Sequence, residues 1–332
     1  MTQMMLPRRS EHTVRFLPGS ASASTTASPR PAPSLPRIIV ASRGGHGDPA
    51  LRLASALARR HGADVEILTV HEPRIPIPEE WRTTAATRFE KVDRPRAAQL
   101  LVRVRSQRRA ESPEPCRWPV RLEVGDPPRV IARTAAEEGA DLIVVGIGRE
   151  SPTDRVRGSQ TAVRLAHLAT VPMLAVPPDV RTLPRRALVV GPCPTTEALG
   201  ARAAAALLQD DGELLLARPG APARPGDRPE AASWETEIER GVRRVPLADA
   251  SAEEVLHAAE RLDADLIVTT IAGGDYKHRV MAPGLAVPLL RQSRCSVLVV
   301  PVDAAVRATN VSTHTHTREP ARAAPPFLAT GE

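Results

Sequence analysis

The sequence predicts an α/β protein made of two related domains in tandem, each built on a parallel sheet. Three observations predict it. Asp141-Leu142-Ile143-Val144 recurs as Asp265-Leu266-Ile267-Val268, an offset of 124 (265 minus 141). The same offset carries VPMLAVPPD at 171–179 onto CSVLVVPVD at 295–303, so Pro177 aligns with Pro301. An Asp before a short β-branched run, then a helix, then an apolar run closed by proline, is a parallel α/β unit, and two copies mean two domains. Finally, 332 residues leave room for two cores. Hydrophobic residues are 42% of the chain but aromatics only 2%, so those cores must be Val, Leu, Ile and Ala.

The elements follow in order. Residues 1–36, rich in Pro, Ser, Ala and Thr, are expected to be a disordered tail. The first domain is expected over 37–178. Ile38–Ala41 is a buried strand, followed by the Gly-rich turn SRGGHGD. Asp48 can cap a helix with Pro49 at its first position, and that helix stops at Gly62. Val65–Val70 is a second strand. A Pro-rich loop and a helical region over about 84–110, broken near Pro95, come next. Trp118–Val124 is the third strand, GDPPRVIARTAAEEGA a turn and helix, and Asp141–Val145 the fourth strand. A loop over 146–157 leads to a helix at about 159–169 and the fifth strand, Val171–Val176.

A linker at 179–184 precedes the second domain, expected over 185–303. Its strands are Ala187–Val190, Leu214–Ala217, Val242–Leu247, 265–270 and 296–300. Helices are expected at 195–209, 251–262 and about 284–293, and a Pro/Gly loop, RPGAPARPGDRPE, replaces much of one more. Residues 304–332 resemble the first tail.

This order of strands, the GDP turn, ADLIVVG, a Gly loop, a Gly-Ser pair and VPMLAVP resembles the universal stress protein family, well over 37–178 and more weakly over 185–303. The resemblance implies, for each domain, a five-stranded parallel sheet of order 3-2-1-4-5 with helices on both faces. It also implies a ligand crevice beyond the carboxyl ends of strands one and four. Nucleotide-binding members carry Gly, two residues, Gly, nine residues, Gly, then Ser or Thr. Here Gly146-Ile147-Gly148 is followed, after nine residues, by Gly158-Ser159. Gly146 and Gly148 would let backbone approach a ligand. Gly158 and Ser159 would open a helix whose free N–H groups hold a phosphate, with Ser159, Gln160 and Thr161 beside it. With Ala41, Ser42 and Arg43 at the end of strand one, these residues form the expected site for ATP or another adenine nucleotide. Arg43 stands where the family pattern places an Asp that contacts the nucleoside. Arg offers only donors, so it would pair with a phosphate or another anion.

The second copy has Pro192 at the matching strand-one position. It keeps Gly273 and Gly274, but Gly284-Leu285 replaces the Gly-Ser pair. It is expected to be structural, with Asp275, Lys277 and His278 in a solvated loop. The resemblance implies a cytoplasmic stress-response protein that senses a nucleotide through its first domain. The alternative is a scaffold that binds no nucleotide and acts through protein contacts. The two copies are expected to pair within the chain, and a further homodimer is open.

Other features narrow the reading. The net charge is +7, and Arg103, Arg105, Arg108 and Arg109 cluster on what reads as a solvated helix face. Few aromatics leave little to stack on bases, so nucleic acid is not the expected partner. No apolar run approaches the roughly 20 residues a membrane span needs, and the amino terminus lacks a signal-peptide core. Cys116, Cys193 and Cys295 are far apart and fit a reducing compartment. Asp126 is expected to turn or cap a helix. His46, His314, His316 and Asn310 carry no complete site. No catalytic residue, metal site or complete Lys-bearing P-loop is expected.

Overall fold

The computed structural model describes residues 34–44, 48–73, 93–111, 118–147, 152–191, 194–219, 241–271 and 284–302. The strands are β1 (Arg37–Ala41), β2 (Asp64–His71), β3 (Val120–Val124), β4 (Leu142–Gly146), β5 (Met173–Val176), β6 (Arg186–Val190), β7 (Glu213–Pro219), β8 (Val242–Leu247), β9 (Leu266–Ile271) and β10 (Ser296–Pro301). The helices among the described residues are α1 (Pro49–His61), α2 (Arg94–Glu111), α3 (Pro127–Glu137), α4 (Pro152–Leu168), α5 (Pro194–Leu207), α6 (Ala252–Arg261) and α7 (Ala286–Gln292). All ten strands lie in one sheet, ordered β3-β2-β1-β4-β5-β10-β9-β6-β7-β8.

Each half thus has the expected order 3-2-1-4-5, but the sheets are not separate. β5 pairs antiparallel with β10, in the register Val297↔Ala175, Leu298↔Leu174 and Val299↔Met173, while every other pairing is parallel. The described residues form one compact unit. The physical reason is in the two strands: MLAV and SVLVVP are buried throughout. As bare edges they would expose apolar side chains and unpaired backbone groups. Joining them removes both liabilities.

Two apolar layers cover the two faces, and both run through the seam. One holds Ile39, Ile143, Val145, Met173 and Ala175 with Leu188, Ile267, Val297 and Val299, under residues of α3, α4, α6 and α7. The other holds Ile38, Val40, Val144 and Leu174 with Val189, Val268 and Leu298, under residues of α1, α2 and α5. Strands buried on both faces read as unbroken Val/Ile/Leu runs, which is why the sequence shows no alternation there. At the carboxyl end of α1, Arg60 donates to the Leu208 carbonyl and lies 2.5 Å from Asp210, and His61 Nε2 lies 2.8 Å from the Ala206 carbonyl. These side chains meet the last carbonyls of α5, which supply partial negative charge.

The repeat has a structural cause. Asp141 Oδ2 accepts from the Arg37 N–H at 2.8 Å, which fixes the start of β1 beside β4. Asp265 repeats the device in the second half, accepting from the backbone of Arg185 and Arg186 at 2.9 Å each. The motif that announces the fold is therefore a latch between neighbouring strands. Burial pushes the Asp141 carboxyl above its ordinary pKa, and the bond from Arg37 pulls it partly back.

Three boundaries differ from the expectation. Leu35, assigned to the tail, is buried in the core, and the Pro36 carbonyl accepts from Asp64 N–H at 2.8 Å. α2 begins at Arg94, with Pro95 in its first turn where no N–H is needed, and the expected stretch 84–92 lies outside the described residues. α4 begins at Pro152, seven positions before Ser159. Proline suits a first helical position, and Gly158 is tolerated mid-helix at about 1 kcal/mol.

Candidate functional site

β1 and β4 are neighbours, and the chain leaves them for opposite faces: α1 packs in one apolar layer and α4 in the other. The carboxyl ends of these strands are the topological switch point, where open α/β sheets bind ligands. On the β1 side, Ser42 N–H extends the ladder to the Leu68 carbonyl at 3.1 Å. Ala41 is half-buried, Ser42 buried and Arg43 exposed.

The Ser42 hydroxyl donates to Asp48 Oδ2 and accepts from Gly44 N–H at 3.1 Å. Asp48 Oδ1 accepts from Ala50 N–H at 3.0 Å and Leu51 N–H at 3.4 Å, so Asp48 caps α1 as expected. Sequence reasoning found this cap but missed the Ser42–Asp48 bond, which ties strand end to helix start. Gly44 has φ +68°, and a β-carbon there would fall 2.8 Å from the Val104 backbone N and 2.9 Å from Arg103 Cγ. Only glycine lets this turn meet α2.

On the β4 side stands Gly146. Its backbone is not left-handed, and a β-carbon would find only ordinary contacts, 3.8 Å from Asp48 Oδ1 and Pro49 Cγ. Neither conformation nor packing requires glycine at this position. Gly148 and His46 lie outside the described residues.

The structure places Gly158, Ser159, Gln160 and Thr161 inside α4. This corrects the expectation that Gly158 and Ser159 open the helix. Within an α-helix their N–H groups are directed at carbonyls four residues back and are not free donors. Gln160 is exposed and Thr161 half-buried.

The corresponding end of the second half is built differently. A β-carbon on Gly191, after β6, would fall 2.8 Å from Glu197 N and 2.9 Å from Thr196 Oγ1, so the first turn of α5 closes on the strand end. Glu197 is 1% exposed, and its Oε2 lies 3.7 Å from Arg244 Nη1 on β8. Leu285 precedes α7 with helical backbone and no side-chain cap. Pro192, Gly273, Gly274, Asp275, Lys277 and His278 lie outside the described residues, as do Cys116 and Cys193.

Asp126 occupies the cap position of α3 without capping it. Its carboxylate is held by both terminal nitrogens of Arg164, at 2.9 and 2.7 Å, which ties α3 to α4. Arg108, expected to be solvated, is half-buried and donates to the Trp118 carbonyl at 2.5 Å. Sequence reasoning also missed a contact at the end of β2. There His71 Nε2 lies 3.1 Å from Asp93 Oδ1, with both side chains 11% exposed. The two are 22 positions apart, too far for any local pattern to join them.

An open groove of about 930 Å³ runs between the linker residues Asp179–Thr182, α6 and the start of β10. Because β5 and β10 are antiparallel, this groove lies at the same pole as the β1/β4 crevice. Its carboxylate Asp265 is spent on the backbone of Arg185 and Arg186, and burial raises the pKa of its free thiol, Cys295. Such a thiol is a poor nucleophile. No group of three or more potential metal ligands exists among the described residues, and no helix among them is long and apolar enough to cross a membrane.

Residues 35–177 match the model of the universal stress protein family. Among curated proteins, none matches this chain. A universal stress protein from Archaeoglobus fulgidus DSM 4304 is similar in structure, with a TM-score of 0.54 at 14% identity over 80% of this chain and 96% of that one. A putative universal stress protein from Pseudomonas aeruginosa UCBPP-PA14 gives a TM-score of 0.47 at 14% identity, covering 84% of this chain and 98% of its own. A universal stress protein in complex with cAMP covers 43% of this chain and 98% of its own, with a TM-score of 0.31 at 20% identity. The first likeness, over 80% of this chain, extends across both halves. Residues 35–177 thus match the universal stress protein family, and the second half of the chain repeats the strand order of the first in the same sheet.

Proposed function

We propose that this chain is a cytoplasmic stress-response protein that senses an adenine nucleotide, such as ATP, in the first-half crevice, and acts by binding and not by catalysis. Gly146 carries the proposal. It stands at the switch point, yet neither its φ nor its surroundings require glycine. Room for close backbone approach to a ligand is the remaining reason for it. In this reading Ala41, Ser42 and Arg43 line one side, and Gly146, Gly148, Gly158, Ser159, Gln160 and Thr161 the other. Since α4 now runs back to Pro152, donation from Gly158 and Ser159 requires the turns at 152–157 to open. Binding is then coupled to loss of about a turn and a half of helix.

The second half, with α5 closed on Gly191 and Leu285 before α7, is proposed to be structural, the halves acting as domains 37–178 and 185–303. The test is mass spectrometry of nucleotide retained through gentle purification, followed by calorimetric titration with ATP, ADP and AMP. At most one nucleotide per chain is expected. No retained nucleotide and no heat with any of the three would overturn the reading. A folded Gly158→Trp protein that binds ATP as tightly as the parent would overturn the placement. A scaffold that binds protein partners is the second reading. The observation favouring it is Arg43, exposed where the family pattern places a carboxylate.

A further inference from the structure

The sheet ends in β3 on one side and β8 on the other. Each end strand carries a row of backbone groups that no neighbour inside the sheet can take. At β3, Ile67 N–H donates to the Pro119 carbonyl at 2.9 Å, and Gly125 N–H donates to the His71 carbonyl at 3.0 Å. With the parallel register from Ile67↔Val120 to His71↔Val124, the odd-numbered residues turn their backbone groups toward β2. Val120, Leu122 and Val124 therefore direct their N–H and C=O groups out of the sheet. None of the described residues pairs with those groups. At β8, Leu214 N–H donates to the Gly241 carbonyl at 3.0 Å, so the outward residues there are Val242, Arg244 and Pro246.

The two ends are protected unequally. Pro246 removes a donor from the outward row of β8, and a second copy pairing antiparallel about the middle of that row would set Arg244 against Arg244. The counterpart of Pro246 in β3 is Val124, four residues on from the first outward residue in each strand. Val124 keeps its N–H and is 41% exposed. The side chains of Arg121 and Glu123 meet at 2.7 Å on the side of the sheet where Arg121 also reaches Glu138, at 3.2 Å. Val120 lies on the other side, against the apolar layer under α2. α2 packs over β2 and β3 alike, so it stands back from the edge.

We propose that the β3 edge docks the β3 edge of a second copy of this chain, antiparallel, with Leu122 on the two-fold axis. To bond, outward residues must stand opposite outward residues. Centred on Leu122, the pairing sets Leu122 against Leu122 and Val120 against Val124. It also sets Arg121 against Glu123 on both sides of the axis, so four charges alternate in sign around it. Moving the axis to residue 121 or 123 sets Arg121 or Glu123 against its own copy and loses a bonded pair. Charge therefore selects one register, and it selects a self-complementary partner. The chain already uses antiparallel pairing to join β5 to β10. The edge lies two strands away from the β1/β4 crevice, and the proposal is independent of any ligand there. A pair of five-residue strands buries little area, so the dimer is weak and concentration-dependent.

The test is sedimentation velocity of the full chain from roughly 1 to 200 μM, the range in which a weak dimer forms. The parent should pass from monomer to dimer with no larger species. Arg121→Glu and Glu123→Arg each place like charges across the axis and should weaken self-association about tenfold or more. An equimolar mixture of the two variants should restore the dimer. Leu122→Pro takes the axial donor from both copies, at an edge position where proline is tolerated, and should abolish it. Glu260→Arg, an equal charge change at an exposed position on α6 in the other half, should dimerise as the parent does. Circular dichroism confirms that each variant is folded. Hydrogen exchange of the parent needs no variant, and peptides covering 120–124 should gain protection as concentration rises. A monomer at every concentration overturns the proposal. So does a dimer that persists in folded Leu122→Pro, or one that forms with no gain of protection over 120–124. A mixture that fails to restore the dimer, or a loss in Glu260→Arg equal to that in Glu123→Arg, overturns it as well. Growth into larger species shows a head-to-tail contact and also overturns it.

Discussion

Leu298→Ala tests whether the halves are one cooperative body. Leu298 lies on β10 directly opposite Leu174 on β5, and each is 1% exposed. Truncation removes three carbons, which at about 0.8 kcal/mol per buried methylene is about 2.4 kcal/mol. The residual cavity adds to this, because a two-sided sheet cannot collapse onto it, giving about 3–4 kcal/mol. Leu298 belongs to an apolar layer containing Ile38, Val40 and Val144 of the first half as well as Val189 and Val268 of the second. The loss should therefore be felt on both sides of the seam. Urea unfolding gives the total, and hydrogen exchange with mass spectrometry divides it. Peptides covering β1 and β4 should lose protection together with those covering β6 and β9. Pairing with Leu174→Ala should give a coupling of about 0.5–3 kcal/mol, as expected for side chains in contact. Unchanged exchange in β1 and β4, with the loss confined to β6–β10, would refute the single cooperative unit.

Three other outcomes can be checked by the same unfolding measurements. Gly44→Ala should cost about 2–3 kcal/mol, combining a left-handed φ with a contact against backbone. Gly146→Ala, with only ordinary contacts, should stay within about 0.5 kcal/mol of the parent. Asp48→Ala should cost about 1–2 kcal/mol, since it removes the α1 cap and strands the buried Ser42 hydroxyl. Asp141 bears on pH. Its folded pKa is raised above the ordinary value of about 4, so between the two values the native state holds more protons than the unfolded one. Stability from this group is full below that window and falls as pH rises through it. Asp141→Asn keeps an acceptor for the Arg37 N–H and should flatten the difference between unfolding at low and neutral pH. A parent-like pH profile would refute the assignment.

The sheet was legible in the sequence because its information is local. ADLIV, the apolar runs and the Asp48–Pro49 and Gly62 caps each specify an element within a few residues. The seam was not, because nothing in MLAV or SVLVVP states that one edge will seek the other in antiparallel register. Conversely, the repeated Asp suggested significance correctly but did not reveal its work, which depends on the backbone of Arg37 and Arg185–Arg186, far away in sequence. At the site, glycine spacing located the crevice but misjudged α4, since a glycine can sit inside a helix as well as open one. The approach of Val104 to Gly44 joins residues 60 apart (104 minus 44) across an excursion of irregular composition, and no spacing rule reaches that far.

The antiparallel seam has a consequence for how such a molecule can change. In a symmetric pair of identical chains, every substitution is made twice, so a ligand site cannot be lost on one side and kept on the other. Here both sides of the seam lie in one covalent chain, and each position is altered once. One strand end can pack tightly on the following helix, as Gly191 does beneath α5, while its counterpart Ser42 keeps a hydroxyl bonded to Asp48. The joining of the halves is also independent of protein concentration, because the partner strand is always tethered nearby. Dilution that would separate a two-chain assembly leaves this sheet whole, and a lopsided molecule becomes a stable one.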